Sequence, residues 1–110
     1  MIYSLILNLK TTGAVTKALP IPPGATIATI DFDGGTTWST AVVTPQWTID
    51  PNYQTNGDNA WSDETRTLNE DKTHLDRLMI AGKLWMRLRT STGVAGASRL
   101  AKVHVNIAGP

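Results

Sequence analysis

The sequence predicts an all-β fold: a single-domain, jelly-roll-like antiparallel β-sandwich over residues 1–110, with about seven to eight strands. Several short segments alternate in hydrophobicity with a period of two residues, as strands with one buried face do. Glycine, proline, aspartate and asparagine mark turns between these segments at intervals of about 8–12 residues. The 110 residues suffice for one hydrophobic core, whereas two cores would each be small.

The first third of the chain predicts two long strands separated by a proline-rich loop. Residues 3–9 predict the first strand, and residues 11–16 predict a turn that leads into a short strand. Three prolines within residues 20–24 exclude a continuous ladder there. Residues 25–33 predict the second long strand. The row expected to face the core in the first strand contains Tyr3, Leu5, Leu7 and Leu9. In the second strand, one face carries Ala28, Ile30 and Phe32, and the other carries Ile27, Thr29 and Asp31.

A hairpin is predicted after the second long strand. Residues 33–36 contain two adjacent glycines, which readily adopt the positive φ of a tight turn, and residues 37–44 are rich in β-forming side chains. Pro45 is expected to interrupt the ladder, with a short strand resuming over residues 46–50.

The middle of the chain predicts loops. Residues 50–52 and 56–59 have the composition of turns. Residues 62–76 contain helix-capping residues but too little apolar periodicity for an amphipathic helix. We therefore expect strand and loop there, with at most one helical turn.

Two half-buried strands are predicted near the end, over residues 84–90 and 101–107. Small residues and glycine fill residues 91–98 between them, which predicts a terminal hairpin with a flexible tip. In the last strand His104 falls on the outward row.

The composition disfavours several classes of function. The net charge is +1 with dispersed basic residues, so we expect no nucleic-acid partner. The chain has no cysteine, which excludes disulfides and thiolate metal sites. No segment approaches the about 20 apolar residues of a membrane span, and the apolar first residues lack the basic start and cleavage site of a secretory signal.

The sequence offers little that indicates catalysis or a cofactor. The two histidines, His74 and His104, lie in no recognisable nucleophile motif. Asp31 and Asp33 are better explained as turn-shaping residues than as a pair of glycosidase carboxylates. The acidic residues within 56–64 lack the spacing of a calcium loop, and no glycine-rich phosphate loop is present. We expect no enzyme activity, no bound metal and no cofactor.

The four tryptophans are unusual in so short a chain, and at least one should be in the core. Trp85 alternates out of phase with the apolar row of its strand, beside Arg87 and Arg89, which is the composition of an interaction hot spot. The alternative is that Trp85 fills a second apolar layer over a strand covered on both faces. Trp47 and Trp61 bracket a polar loop, where exposed rings could stack on sugars. The candidate interaction surface is Trp47, Trp61, Trp85, Arg87, Arg89 and His104.

Three segments resemble small β-sandwich virion proteins of tailed bacteriophages, in which a DG-T-W hairpin and a late LRLR strand recur. They are Asp31–Trp38, Leu84–Thr90 and the closing strand Lys102–Ile107. Together these segments comprise 21 of the 110 residues.

The resemblance implies a structural role in the virion, as a head decoration or cement protein made in the host cytoplasm and located on the capsid surface. It implies the major capsid protein or another virion protein as partner, and a homo-oligomer, dimer or trimer. A tail-associated structural protein remains an alternative. A carbohydrate-binding or host-attachment module with a glycan partner is the main rival from the residues themselves, and a small enzyme is a third hypothesis.

Overall fold

The computed structural model describes residues 1–109, which form eight β-strands and two short helical turns. Pro110, the last residue of the predicted domain, lies outside the described residues. The strands are β1 (Ile2–Leu7), β2 (Leu19–Pro20), β3 (Ile27–Phe32), β4 (Val42–Thr48), β5 (Ser62–Asp63), β6 (His74–Met79), β7 (Trp85–Thr92) and β8 (Ala101–Ala108). Between β4 and β5 lie the α-helical turn α1 (Tyr53–Asn56) and a 3₁₀ turn (Gly57–Ala60).

The strands form two antiparallel sheets that pack against each other. The first sheet has the order β1-β8-β3-β6 and the second has the order β2-β7-β4-β5. Counted from the two ends of the series, β1 pairs with β8, β2 with β7, β3 with β6 and β4 with β5. The chain therefore resembles one long hairpin rolled into two sheets, which is jelly-roll topology. The predicted all-β sandwich is confirmed.

One hydrophobic core lies between the sheets and draws on both. In β8 the buried residues alternate strictly with Lys102, His104 and Asn106, which are exposed, as the predicted period of two requires. The predicted inward row of the first long strand is likewise buried, except that Tyr3 is only partly so. In the second long strand the buried row is Ala28, Ile30 and Phe32. Among the described residues, the largest fully buried side chains are Leu7, Leu9, Leu19, Ile30, Leu68, Leu75, Ile80, Met86, Leu88, Val43, Val103 and Val105.

The hairpin predicted around Gly34 and Gly35 is wrong. β3 and β4 belong to different sheets, so the segment between them crosses from one sheet to the other. The turn at Asp33 closes with a hydrogen bond from the Thr36 N–H to the Asp33 carbonyl oxygen, 3.0 Å. Positive φ occurs instead at Ser39 and Thr40, 47° and 72°. Composition identified a turn here, but not the sheet to which the chain returned.

The predicted terminal hairpin is also wrong, because β7 lies in the second sheet and β8 in the first. The connection between them is held in place by hydrogen bonds. The Leu9 N–H donates to the Ser98 carbonyl at 3.0 Å, and the Ser98 N–H donates to the Thr37 carbonyl at 2.8 Å. Gly93 packs so closely on the backbone of residues 10–12 that a Cβ there would overlap it. The small residues thus permit close packing and do not form a free tip.

Pro45 does not interrupt β4, contrary to the prediction. Its carbonyl accepts the Glu64 N–H at 2.9 Å, on the side of β5. Because the N–H and C=O of a strand residue point to the same side, the donor that proline lacks faces the two-residue β5 and not β7. Pro45 can therefore sit opposite Leu88 within the β4·β7 ladder.

Helical turns occur over residues 53–60 and not within residues 62–76. The Asp50 carboxylate organises them by accepting the Asn52 N–H at 2.8 Å and the Asn56 Nδ2 at 2.6 Å. Residues 62–76 are strand and loop as expected, with an isolated bridge between Val43 and Leu68.

Replacement of Leu88 by alanine tests the core. Leu88 is fully buried in β7, so Leu88→Ala should lower the free energy of unfolding by about 2–5 kcal/mol. Met79→Ala is the control, because this apolar side chain on β6 is 60% exposed, and it should change stability by less than about 0.5 kcal/mol. Urea titration followed by circular dichroism measures both. Equal effects of the two substitutions would contradict the assignment of the core.

Candidate functional site

The six residues of the predicted interaction surface lie in three separate places. Trp61, Trp85, Arg87 and Arg89 lie on the outer side of the second sheet, Trp47 lies at one end of that sheet, and His104 lies on the outer face of the first sheet. The structure therefore joins only the first group into one cluster.

An aromatic cap, consisting of Tyr53, Trp61 and Trp85, covers the outer side of the second sheet. Residues 50–61 place the Tyr53 ring 5.4 Å from the Trp61 ring, nearly edge to face at 77°. The Tyr53 ring also lies 5.1 Å from the Trp85 ring at 47°. Aromatic pairs of this kind contribute about 0.5–1.5 kcal/mol each beyond their buried area. The cap therefore holds the helical turns against the sheet.

Arg87 lies beneath the cap and is buried, although its strand phase points it away from the main core. Its Nε donates to Gln46 Oε1 at 2.7 Å, and its Nη2 donates to Asp58 Oδ1 at 2.9 Å. The guanidinium carbon also lies 4.4 Å from the centre of the Trp61 ring, a cation–π contact. Gln46 in turn donates to Asp63 at 2.7 Å, so the charge is embedded in a hydrogen-bond network.

The hot-spot interpretation of Trp85 and Arg87 does not agree with these contacts. Trp61 and Arg87 are buried, and Trp85 and Arg89 are half-buried. The alternative interpretation, a second apolar layer over β7, describes the geometry. The prediction of a core tryptophan is confirmed by Trp38, which packs edge-on against Phe32 with ring centres 4.7 Å apart.

The Asp58 carboxylate carries the charge that balances Arg87. The hydrogen bond from Arg87, and then the charge of the guanidinium, holds the pKa of the Asp58 carboxyl below its usual value of 3.8. The pKa of Asp50 is lowered as well, first by the Asn56 side chain and then by the Asn52 backbone. Both carboxylates are therefore engaged by protein donors.

Trp47 is half-buried and lies opposite Met86 in the β4·β7 ladder. The Lys83 ammonium lies 4.2 Å from the centre of its ring. Ile49 and Leu84, both exposed, are close in the chain to these two residues. Trp47 thus borders a small apolar margin and does not project from a loop as expected.

A polar row crosses the exposed outer face of the first sheet. It consists of Ser4, His104, Asp31 and His74, which are successive cross-strand neighbours on β1, β8, β3 and β6. Ser4 Oγ lies 3.0 Å from His104 Nδ1, and His74 Nδ1 lies 3.5 Å from Asp31 Oδ1. His104 Nε2 also lies 3.3 Å from Asp33 Oδ1. The row offers donors and acceptors along a line that runs across all four strands.

Ser4, His104 and Asp33 are the residue types of a nucleophilic triad, but their setting differs from that of a catalytic site. The side chains of His104 and Asp33 are each 45% exposed. Solvent at this level weakens the contact between His104 and Asp33, whereas an acyl-transfer site needs a water-excluded environment with fixed oxyanion donors. The arrangement is better suited to recognition at a hydrated surface than to proton relay.

The sequence analysis did not identify Tyr53, Asp58, Gln46 or the polar row. The row could not be read from the sequence, because its members are brought together only by the register of three strand pairs. The partners of Arg87 are 29 and 41 residues away along the chain, which no local pattern links.

Removal of one ring tests the aromatic cap. Trp61→Ala should lower the free energy of unfolding by about 3 kcal/mol. This value is at the low end of the range for truncating a buried tryptophan, because the cap lies outside the main core. Residues 50–60 should become sensitive to limited proteolysis. The control is Gln54→Ala, an exposed position on α1. A cleavage pattern unchanged from that of the unsubstituted chain would contradict the role of the cap.

A second prediction concerns pH. Because the pKa of Asp58 is lowered in the folded chain, its contribution is present above the unfolded value of 3.8 and is lost as the pH falls through the folded value. Asp58→Asn should therefore reduce stability at neutral pH, by at most about 1 kcal/mol since the carboxylate is largely exposed.

The difference between Asp58→Asn and the unsubstituted chain should shrink below pH 3.8. Thermal unfolding at a series of pH values measures this difference. Asp71→Asn, at an exposed turn position, serves as the control. A difference that grows on acidification would contradict the ion pair.

Comparison with models of known protein families, with curated proteins and with solved structures found no match to this chain. Within residues 1–109 there is no helix with the length and apolar character needed to cross a membrane.

Proposed function

We propose that this chain is a structural protein of a tailed-phage virion, a capsid decoration or cement protein that binds across neighbouring major-capsid subunits and stabilises the shell. The observation that carries the proposal is the contrast between the two outer faces of the sandwich. The aromatic cap and residues 50–61 cover the second sheet, whereas the outer face of the first sheet is open across its four strands.

This open face, defined by the outward residues of β1, β8, β3 and β6, has the composition of a recognition surface. It combines the polar row with exposed apolar side chains at its margins, Ile2 and Ile6 on β1 and Met79 on β6. Lys102 and Asn106 flank His104 on β8. Interfaces that form between separately folded proteins mix apolar and hydrogen-bonding groups in this way.

The size of the chain is compatible with a clamp. Its principal extents are 38 × 29 × 22 Å, and a stable contact uses about 800 Å² on each partner, so one interface would occupy most of a face. A rigid domain that spans a subunit junction adds buried area that must be lost before the junction opens. Repetition over a lattice then lets individually modest contacts act together.

Rigidity is supplied by the pairing of distant parts of the chain. Both β3·β8 and β4·β7, the central pairs of the two sheets, join segments far apart in the sequence. Loads applied at the open face would therefore be distributed over the strands of the first sheet, as a clamp requires. The resemblance of residues 31–38, 84–90 and 102–107 to phage virion proteins points in the same direction, although it is carried by short strand and turn motifs.

The geometry gives less support to the carbohydrate-binding alternative. Stacking on a sugar requires a free ring face, and Trp61 and Trp85 pack on Tyr53 while Lys83 lies over Trp47. The proposal also assigns no catalytic activity to the chain. Ester hydrolysis that disappears in both Ser4→Ala and His104→Ala would contradict that part.

Binding to assembled shells tests the proposal. The purified chain should bind capsids that lack it and should bind free coat subunits much more weakly, because the site is formed across a subunit junction. Co-sedimentation with capsids and with unassembled subunits compares the two. Equal affinity for both, or binding to tail structures alone, would contradict a decoration role, and sugar-dependent quenching of tryptophan fluorescence would favour the glycan-binding alternative.

Matched substitutions locate the contact. Asn106→Arg places a bulky charge on the open face, and Asn59→Arg places the same side chain on the 3₁₀ turn at the covered face. The first should weaken shell binding about tenfold or more, and the second should leave it unchanged. Weakened binding by Asn59→Arg, with Asn106→Arg without effect, would assign the contact to the covered face.

A further inference from the structure

The four sheet edges differ in how well they are protected against pairing with another chain. In the second sheet the edge strands β2 and β5 have two residues each, and β2 contains Pro20. In the first sheet the edge strand β6 has charged residues and a break in its register with β3, where Arg77 has a φ of 54°. Short length, proline, charge and bulges are the usual means by which proteins block edge pairing.

β1, the other edge of the first sheet, has none of these protections. Its six residues, Ile2–Leu7, include no proline, glycine or charged side chain. Its register with β8 is unbroken over all six positions. Ile2 and Ile6 are 68% and 52% exposed. Among the described residues, β1 pairs with β8 alone, so the other side of β1 is open.

The hydrogen bonds at the start of β1 show which backbone groups are free. The Met1 nitrogen donates to the Ile107 carbonyl at 2.9 Å, and the Ile107 N–H donates to the Met1 carbonyl at 2.8 Å. In an antiparallel ladder such pairs alternate along the strand, so Tyr3, Leu5 and Leu7 also point towards β8. The N–H and C=O groups of Ile2, Ser4 and Ile6 therefore point outward from the sheet edge.

We propose that β1 pairs with β1 of a second copy of this chain, antiparallel and about a two-fold axis at Ser4. Ile2 would then lie opposite Ile6 of the second copy, and Ser4 opposite its counterpart. Each of these pairs exchanges two backbone hydrogen bonds. The two first sheets join into one continuous sheet.

The side chains of β1 make this register self-complementary. Residues opposite each other share a face, so isoleucine meets isoleucine and serine meets serine on the open side, while Tyr3 meets Leu5 on the inner side. A shift of two residues would instead place an isoleucine opposite Ser4. The strand brings no like charges together. Beyond Leu7 the edge is closed, because the Leu9 N–H donates to the Ser98 carbonyl and the Leu9 carbonyl accepts the Val94 N–H.

The pairing places the open faces of both copies side by side and doubles the polar row across the axis. This inference rests on the strand edges alone and does not depend on a role in a virion. A dimer that binds no capsid would leave it intact, and capsid binding by a monomer would not support it.

Cysteine cross-linking tests the register in a chain that has no cysteine of its own. In Ser4→Cys the two Cα atoms would lie about 5.5 Å apart across the axis, within the range of a disulfide. In the control Ile2→Cys they would lie about 14 Å apart, four residues out of register, which is too far. Mild oxidation should therefore give a covalent dimer rapidly with Ser4→Cys and slowly or not at all with Ile2→Cys.

Sedimentation velocity from about 1 μM to about 500 μM, where modest interfaces populate dimers, tests the assembly itself. Ile6→Lys should raise the dimer dissociation constant about tenfold or more, because it adds the charge that blocks edge pairing. Met79→Lys, an equally exposed apolar position on β6, should leave it unchanged. Circular dichroism checks that both variants fold.

A monomer throughout this range, a trimer, or equal cross-linking of the two cysteine variants would overturn the proposal. Cross-linking of Ser4→Cys to a coat protein in assembled particles, without a dimer in solution, would also overturn it and assign the edge to that partner. Should Ile6→Lys fail to fold, the two cysteine variants still decide the question.

Discussion

The structure depends on one constraint: strand backbone groups need hydrogen-bond partners, and in this chain most of those partners come from distant parts of the sequence. β8 receives β1 on one side and β3 on the other, and β7 receives β4 and β2. The residues that these pairings bring between the sheets, such as Val103, Val105 and Leu88, are fully buried. The core forms because the strand pairings align these residues between the sheets. Apart from β4 and β5, consecutive strands lie in different sheets, so the loops that connect them cross from one sheet to the other.

The same constraint explains why the two outer faces differ. The second sheet carries Arg87 on its outer side, and a guanidinium there is stable only with partners for its donors, which residues 50–61 and Gln46 supply. The aromatic cap follows from that requirement. The outward polar residues of the first sheet include serine, histidine, aspartate and asparagine, which water satisfies, so these groups need no covering segment. The exposed Ile2, Ile6 and Met79 lie on the same face. The outward residues of each sheet therefore determine which outer face is covered and which is open.

The local part of this organisation could be predicted from the sequence. Alternation in residues 3–9, 25–33 and 101–107 identified strands correctly, because a period of two is a property of neighbouring residues. In the first and the last of these segments it also identified the buried row. The pairing could not be predicted in the same way. Gly34–Gly35 and the small residues of 91–98 indicate turns, but a turn within a sheet and a crossing between sheets use the same residues.

The candidate site shows the same limit. The phase of Trp85 and Arg87 correctly placed them on the outer side of their strand, but the segment that covers them could be found only in three dimensions. His104 was correctly placed on an exposed row, while its neighbours Ser4 and Asp31 depend on the registers of β1 and β3 with β8. The direction in which a strand side chain points follows from the local sequence, whereas its neighbours in space depend on the pairing of distant strands.

Hydrogen–deuterium exchange of the chain, free and bound to assembled capsids, tests most directly whether the first sheet is the face this protein presents. Binding should slow exchange in β1, β8, β3 and β6 and should leave exchange in residues 50–61 as it is in the free chain. Slowed exchange over residues 50–61, with the first sheet unaffected, would contradict it.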